Sequence, residues 1–241
     1  MRRIQIQHLE GSVAQSFVER LLMFECTVCI DSSLIDSYKD RYEAILATGL
    51  SSIDSSTNAD ISFSFFGQEN IVTVESNEAT SKIRLHDVLP TGSNKGLNHT
   101  FLEHLWDQKE VSHQANGMYY WVSESDVVEA FVRIALHSPL LPNTMDIAGR
   151  RGWSAQQTID EFSMLWQRTQ AASTGTFTAS LLDQPPSPKI SVVPIQDVVE
   201  EKRPPLGTLH DVLMQCDEQG WQPTSPLRTA LMLYLAGRIN D

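Results

Sequence analysis

The chain has 241 residues, 41% of them hydrophobic and 20% charged, an ordinary globular balance that excludes wholesale disorder and leaves room for at most two domains. A net charge of −12, with 18 basic residues scattered along the chain, excludes phosphate-backbone attraction as a main source of binding, so nucleic acid is not expected as a partner. No 18 apolar residues occur together and MRRIQIQHLEG carries no signal-like apolar run, so the expectation is a cytoplasmic protein with no membrane span.

RIQIQ (Arg3 to Gln7) alternates as a strand does, Gly11 follows as a turn, and Val13, Phe17 and Leu21 form one helical stripe. CTVCI reads as the next strand and Ser33 to Leu46 as an amphipathic helix, so the chain opens with a β-α-β unit whose crossover favours parallel strands. Thr48 to Asn58 reads as a polar loop. Three β-like runs follow, Asp60–Phe66, Asn70–Glu75 and Lys82–Val88, with too few residues between them for crossover helices; either some pair antiparallel or the crossovers are shortened.

A helix is expected from about Leu97 to Gln108, then MYYWV as a strand, then a strongly amphipathic helix from Ser125 to His137. Ser154 and Gln157 have the form of a capping box opening another helix. Ser173 to Pro188 is small, polar and proline-rich and reads as a linker. The remainder holds a strand, ISVVPI, a short helix near Leu209–Gln219, and a terminal helix starting at Ser225-Pro226, where proline suits the first turn.

Little of the chemistry-bearing vocabulary is present. Cys26 and Cys29 lie on a strand, where positions three apart point to opposite faces, and with Cys216 they make an odd set; neither a metal site nor a disulfide framework is expected. The seven histidines include no H-x-x-x-H spacing, and no G-x-S-x-G or Walker loop occurs. Asn98-His99-Thr100 is a sequon, idle without secretion. The tryptophans, without basic residues between them, read as packing rather than as a base-stacking platform.

The order of segments resembles the extended short-chain dehydrogenases, the NAD-dependent epimerase/dehydratase family of nucleotide-sugar enzymes. IQIQHLEGSVAQSFVERLL is similar to that family's first strand, G-x-x-G-x-x-G turn and helix, with His8, Gly11 and Ala14 at the three glycine positions. Such glycines give a tight turn, let the backbone approach a pyrophosphate and let the helix pack close to the strand. ADISFSFFGQ, NIVTVESNEA and RLHDVLPTG resemble the fourth, fifth and sixth strand segments; YYWVSESDVVEAFVRIAL, DIAGRRGWSAQQTIDEF and CDEQGWQPTSPLRTAL resemble the later D-V-V-E-A, N-I-G-x-G-x-x-x-S and L-G-W-x-P patterns. The resemblance implies Asp31 as the carboxylate that hydrogen-bonds the adenosine ribose, Gly11 and Ala14 as the retained cofactor turn, and Arg203 as a candidate diphosphate contact.

What the resemblance also implies is missing. Family enzymes use Y-x-x-x-K, a tyrosine that exchanges a proton with a substrate hydroxyl and a lysine that lowers its pKa, both on one helix face. No such spacing occurs here: Tyr42 follows Tyr38 where a lysine would stand, and Ser123 and Glu124 follow Tyr119 and Tyr120. Asp31 and Arg84 stand 53 positions apart, too few for the family's intervening strands and helices when one βαβ unit takes about 30.

The expected fold is therefore α/β, a Rossmann-like, mostly parallel sheet with flanking helices, shortened in the middle, plus a small C-terminal α/β subdomain. The expected division is 1–140 and 141–241, with a linker at about 171–189, or one compact unit. The expected function is non-catalytic, by binding or assembly: NAD held weakly or not at all, a nucleotide or nucleotide sugar as ligand, or a protein partner, with no catalytic or metal residues. Two alternatives stand beside it: an active epimerase/dehydratase of polysaccharide biosynthesis with relocated acid–base groups (Ser76, Asp87, Tyr120), and a structural subunit of a larger complex.

Overall fold

The computed structural model describes residues 1–66, 70–76, 79–91, 100–108, 117–183, 185, 188 and 203–239. The sequon's Asn98, the start of the helix expected at Leu97, the strand ISVVPI and residues 184, 186, 187 and 189 of the linker lie outside them. The chain opens as its hydrophobic spacing requires. β1 (Arg2–Gln7) and β2 (Cys26–Cys29) pair in parallel across α1 (Ser12–Leu21), which buries Val13, Phe17 and Leu21.

The helix expected over Ser33–Leu46 is divided. A 3-10 turn, Ser32–Leu34, leads into α2 (Ile35–Arg41), and Tyr42, at φ −113° and ψ 22°, separates it from α3 (Glu43–Leu46). Inside the run read as a polar loop lies β3 (Ser52–Asp54), which pairs in parallel with β2. Three residues with one apolar side chain, Ile53, carry too little periodicity to stand out in sequence.

β4 (Ile61–Phe66), β5 (Ile71–Ser76) and β6 (Thr80–Leu85) follow, and β10 (Thr144–Ile147) completes a seven-stranded sheet in the order β10-β6-β5-β4-β1-β2-β3. β5 pairs antiparallel with both β4 and β6, and every other pairing within this sheet is parallel. Reversing this one strand is what shortens the middle of the fold. A parallel crossover needs a dozen or more residues, whereas β5 and β6 are joined by residues 77–79 alone.

The reversal also leaves one face of the sheet without crossover helices among the described residues. Right-handed crossovers place helices after the first strands on one face and helices after the fourth and fifth strands on the other, because the strand order runs the opposite way from β1. With hairpins in their place, the hydrophobic core draws on a single face: Ile4, Ile61, Phe63, Val74, Ile83 and Met145 pack with Phe17 and Phe131. The opposite face is polar in register, with Gln7, Ser64, Thr73, Lys82 and Thr144 side by side across five strands. Such alternation is the pattern of a sheet with one wet face, and a mostly parallel sheet usually lacks it.

Beyond β6 lie β7 (Val88–Leu89), α4 (Thr100–Gln108), β8 (Met118–Tyr119) and β9 (Val122–Ser123). Then come α5 (Glu124–His137), which packs on α1, β11 (Trp153–Ser154), α6 (Ala155–Thr174), α7 (Ala179–Asp183), α8 (Gly207–Asp217) and α9 (Leu227–Ile239). The Ser154–Gln157 capping box is formed in both directions, and α6 runs on into the segment read as linker before stopping at Gly175, φ 67°. Residues on both sides of position 140 build the sheet's core, since β10 is its edge strand and α8 packs on α5.

A second core gathers Leu102, Trp121, Phe162, Leu231 and Tyr234 from α4, α6, α9 and the segment joining β8 to β9. The buried carboxylate of Asp126 ties the two regions, accepting from the backbone N–H groups of Thr224 and Ser225 at 2.9 and 3.1 Å.

Candidate functional site

β1 and β2 run parallel, so the turn after β1 and the residues after β2 share the carboxyl edge of the sheet, and Gly11 and Asp31 come to the same rim. His8, at the first glycine position, has φ +60°, the left-handed conformation a glycine would take there freely. The tight turn is therefore kept by a residue with a Cβ, at a cost on the order of 1 kcal/mol, and His8 is exposed. Gly11 is the N-cap of α1 and supplies no side-chain cap, so the first N–H groups of the helix are not capped from within. A Cβ on Gly11 would meet nothing within 4 Å, and Ala14 is wholly buried, keeping helix and strand close.

Of the three positions the second is the one open to a phosphate, at an electropositive helix end, while the third serves helix packing. The misfit is at the first, where the family has bare backbone and this chain has an imidazole. Asp31 caps the 3-10 turn: its Oδ1 accepts from the backbone N–H of Ser33 at 2.8 Å and its hydroxyl at 2.6 Å, which holds the carboxyl below its ordinary range. Both bonds fall on Oδ1, and Oδ2 keeps its capacity to accept from a ribose hydroxyl.

The three relocated acid–base candidates do not converge. Ser76 closes the β5–β6 hairpin, its Oγ within 3.3 Å of both the N–H and the carbonyl of Ala79. Because β5 is reversed, Ser76 pairs with Ile61 at the start of β4, three residues of strand, about 10 Å, below the level of Gln7 and Ser64. That is the wrong edge of the sheet. Asp87 and Tyr120 do meet at the carboxyl edge, but through the backbone: the carboxylate of Asp87 accepts from the Tyr120 N–H at 2.6 Å. Asp87 stands at φ +47°, which an aspartate tolerates better than most residues.

The remaining sequence candidates are separated. Cys26 faces the apolar core and burial pushes its thiol up to about 11, whereas Cys29 lies outside that cluster, on the polar face beside Arg3; the opposite-face reading of the C-x-x-C holds. Arg203 is exposed. Sequence reasoning overlooked the ties of β10: Asp146, nearly buried, meets Arg84 at 3.1 Å and His86 at 2.7 Å, fastening the edge strand to β6. It also gave no role to the GRRG segment, where Gly149 is obligatory because a Cβ would lie 2.0 Å from the carbonyl oxygen of Trp121. Two glycines bracketing two arginines were the available signal.

No protein-family model and no curated protein matches the chain. Solved structures do. The UDP-glucuronic acid 4-epimerase of Bacillus cereus, in complex with UDP-glucuronic acid and NAD, aligns with a TM-score of 0.51 at 10% identity over 99% of either chain. The Bordetella bronchiseptica enzyme WbmF, in complex with NAD+ and UDP, aligns with a TM-score of 0.54 at 9% identity over 99% of this chain and 92% of the other. Nearly end to end, the chain has the Rossmann-type fold of these two structures, the fold its segment order resembles.

Proposed function

We propose that this protein is a non-catalytic relative of the nucleotide-sugar epimerases that acts by binding a nucleotide or nucleotide sugar, or by assembly into a larger complex. The observation that carries the reading is the β5–β6 hairpin: residues 77–79 stand where a Y-x-x-x-K helix would connect two parallel strands, and the reversed strand takes Ser76 to the far edge. Proton transfer in such a site needs a positioned group within about 3 Å of the reacting atom. Ser76 is too far from the rim that holds Gly11 and Asp31, and Asp87 is engaged by backbone.

Weak NAD binding follows from His8 in a turn otherwise fit for phosphate. A cytoplasmic setting accords with three free thiols, and no described helix is long and apolar enough to cross a membrane. The test is to incubate purified protein with UDP-glucuronic acid and NAD and to follow sugar conversion. No turnover is expected; turnover that falls on Asp87→Asn or Tyr120→Phe overturns the proposal and favours the working enzyme, since those two candidates share the carboxyl edge. Thermal-shift titrations with NAD and NADP measure what the turn retains, a ligand at 100 times its Kd adding about 2.7 kcal/mol.

A further inference from the structure

Between the loop after β10, the first turns of α6 and the start of α9 lies a cavity of about 450 Å³, within the range of small-molecule sites. Its walls are fixed. The Gly149 N–H donates to the Tyr120 carbonyl at 2.7 Å, the Trp121 indole donates to Thr158 on α6 at 3.0 Å, and Thr224 and Ser225 are held on Asp126. Pro223 and Pro226 stiffen the remaining side.

Three arginines line the cavity in a chain of net charge −12. Arg228 is neutralised by Glu161, itself 6% exposed, at 2.5 Å. Arg150 and Arg151 are exposed, and neither makes an ion pair among the described residues. Arg151 lies 4.0 Å above the centre of the Trp153 ring. A guanidinium stacked by its face keeps its edge N–H groups for an anion, and its planar fork suits phosphate oxygens. A second carboxylate of the lining, Asp160, accepts from Gln156 at 2.7 Å, so with Glu161 set against Arg228 the two arginines that are unpaired among the described residues leave an excess of positive charge.

We infer that this cavity, away from the glycine turn, is an anion site for a phosphorylated nucleoside or sugar, with phosphate on Arg150 and Arg151 and the ring against the Arg151–Trp153 stack. The inference rests on the binding form of the proposed function and gives it a location. Calorimetry with UDP, inorganic phosphate and uridine tests it on the full chain. UDP is expected to bind one per chain, phosphate more weakly and uridine not at all.

The Arg150→Ala/Arg151→Ala double variant is expected to weaken UDP at least tenfold, whereas Arg20→Ala, a distant exposed arginine, leaves it within twofold. Trp153→Phe is expected to remove the fluorescence quenching that UDP produces. UDP affinity unchanged in the double variant, uridine binding as well as UDP, or no UDP binding at millimolar concentration overturns the inference. Turnover decides the earlier reading separately: UDP bound normally by the double variant, with no sugar conversion, removes this site and leaves the non-catalytic function standing.

Discussion

The two faces of the seven-stranded sheet are built from the same strands and have opposite fates. On the covered face Phe63 meets Phe17 at 4.8 Å and Phe131 at 5.7 Å between ring centres, and α1, α5 and α8 close over it. On the other, Gln7, Ser64, Thr73 and Lys82 stand in register with polar neighbours. A three-layer architecture that loses its crossover helices must rewrite alternate residues of several strands, because an apolar face left without its helices exposes a large sticky patch. The polar residues of that face and the short β5–β6 connection go together, since both accompany the one reversed strand.

The largest way to break this contrast is Phe63→Ala, a wholly buried ring, which should cost about 3–5 kcal/mol in urea unfolding. A loss under about 1 kcal/mol would mean that the covered face is not the core. Next comes alkaline pH. Cys26 on the covered face and Cys216 on α8 are both pushed up to about 11 by burial, above the ordinary value of 9.0. A folded pKa raised above the unfolded one means that the folded state holds its proton longer; stability is complete below pH 9 and falls as pH rises from about 9 to 11. The phenols of Tyr38 and Tyr234, raised by burial, add in the same direction. Denaturation across that range should show the decline, and Cys26→Ala should flatten its slope.

A smaller effect is expected at the rim. His8→Gly relieves the left-handed backbone but adds freedom to the unfolded chain, so net stability should change by less than about 1 kcal/mol. NAD affinity should rise as the imidazole leaves the phosphate approach; an unchanged or weaker NAD thermal shift would show that His8 is not the obstacle. Smallest of all, Lys82→Thr on the polar face should stay within about 0.5 kcal/mol by the same unfolding measurement. A larger loss would reveal a covering layer on that face.

Much of this was readable from the chain. The opening unit, the amphipathic α5 and the Ser154–Gln157 box are local signals with local causes, and the structure has each of them. The short gaps between the three middle β-runs required either reversal or shortened crossovers, and reversal of β5 is the outcome. β3 and β10 escaped because three or four residues cannot display a period, and their pairing partners lie far along the chain. Arg150 and Arg151 escaped because a surface doublet has no meaning until Trp153, Glu161 and Arg228 are brought beside it.

Sequence alone determined which residues alternate, where helices start, and that no lysine stands four places after a tyrosine: these are properties of neighbours along the chain. Tertiary structure decided which way β5 runs, and with it the edge on which Ser76 stands and the face that no described helix covers. Strand direction is set by pairing between β4, β5 and β6, where hydrogen bonds and buried side chains from distant positions are satisfied together, and no single segment carries that information.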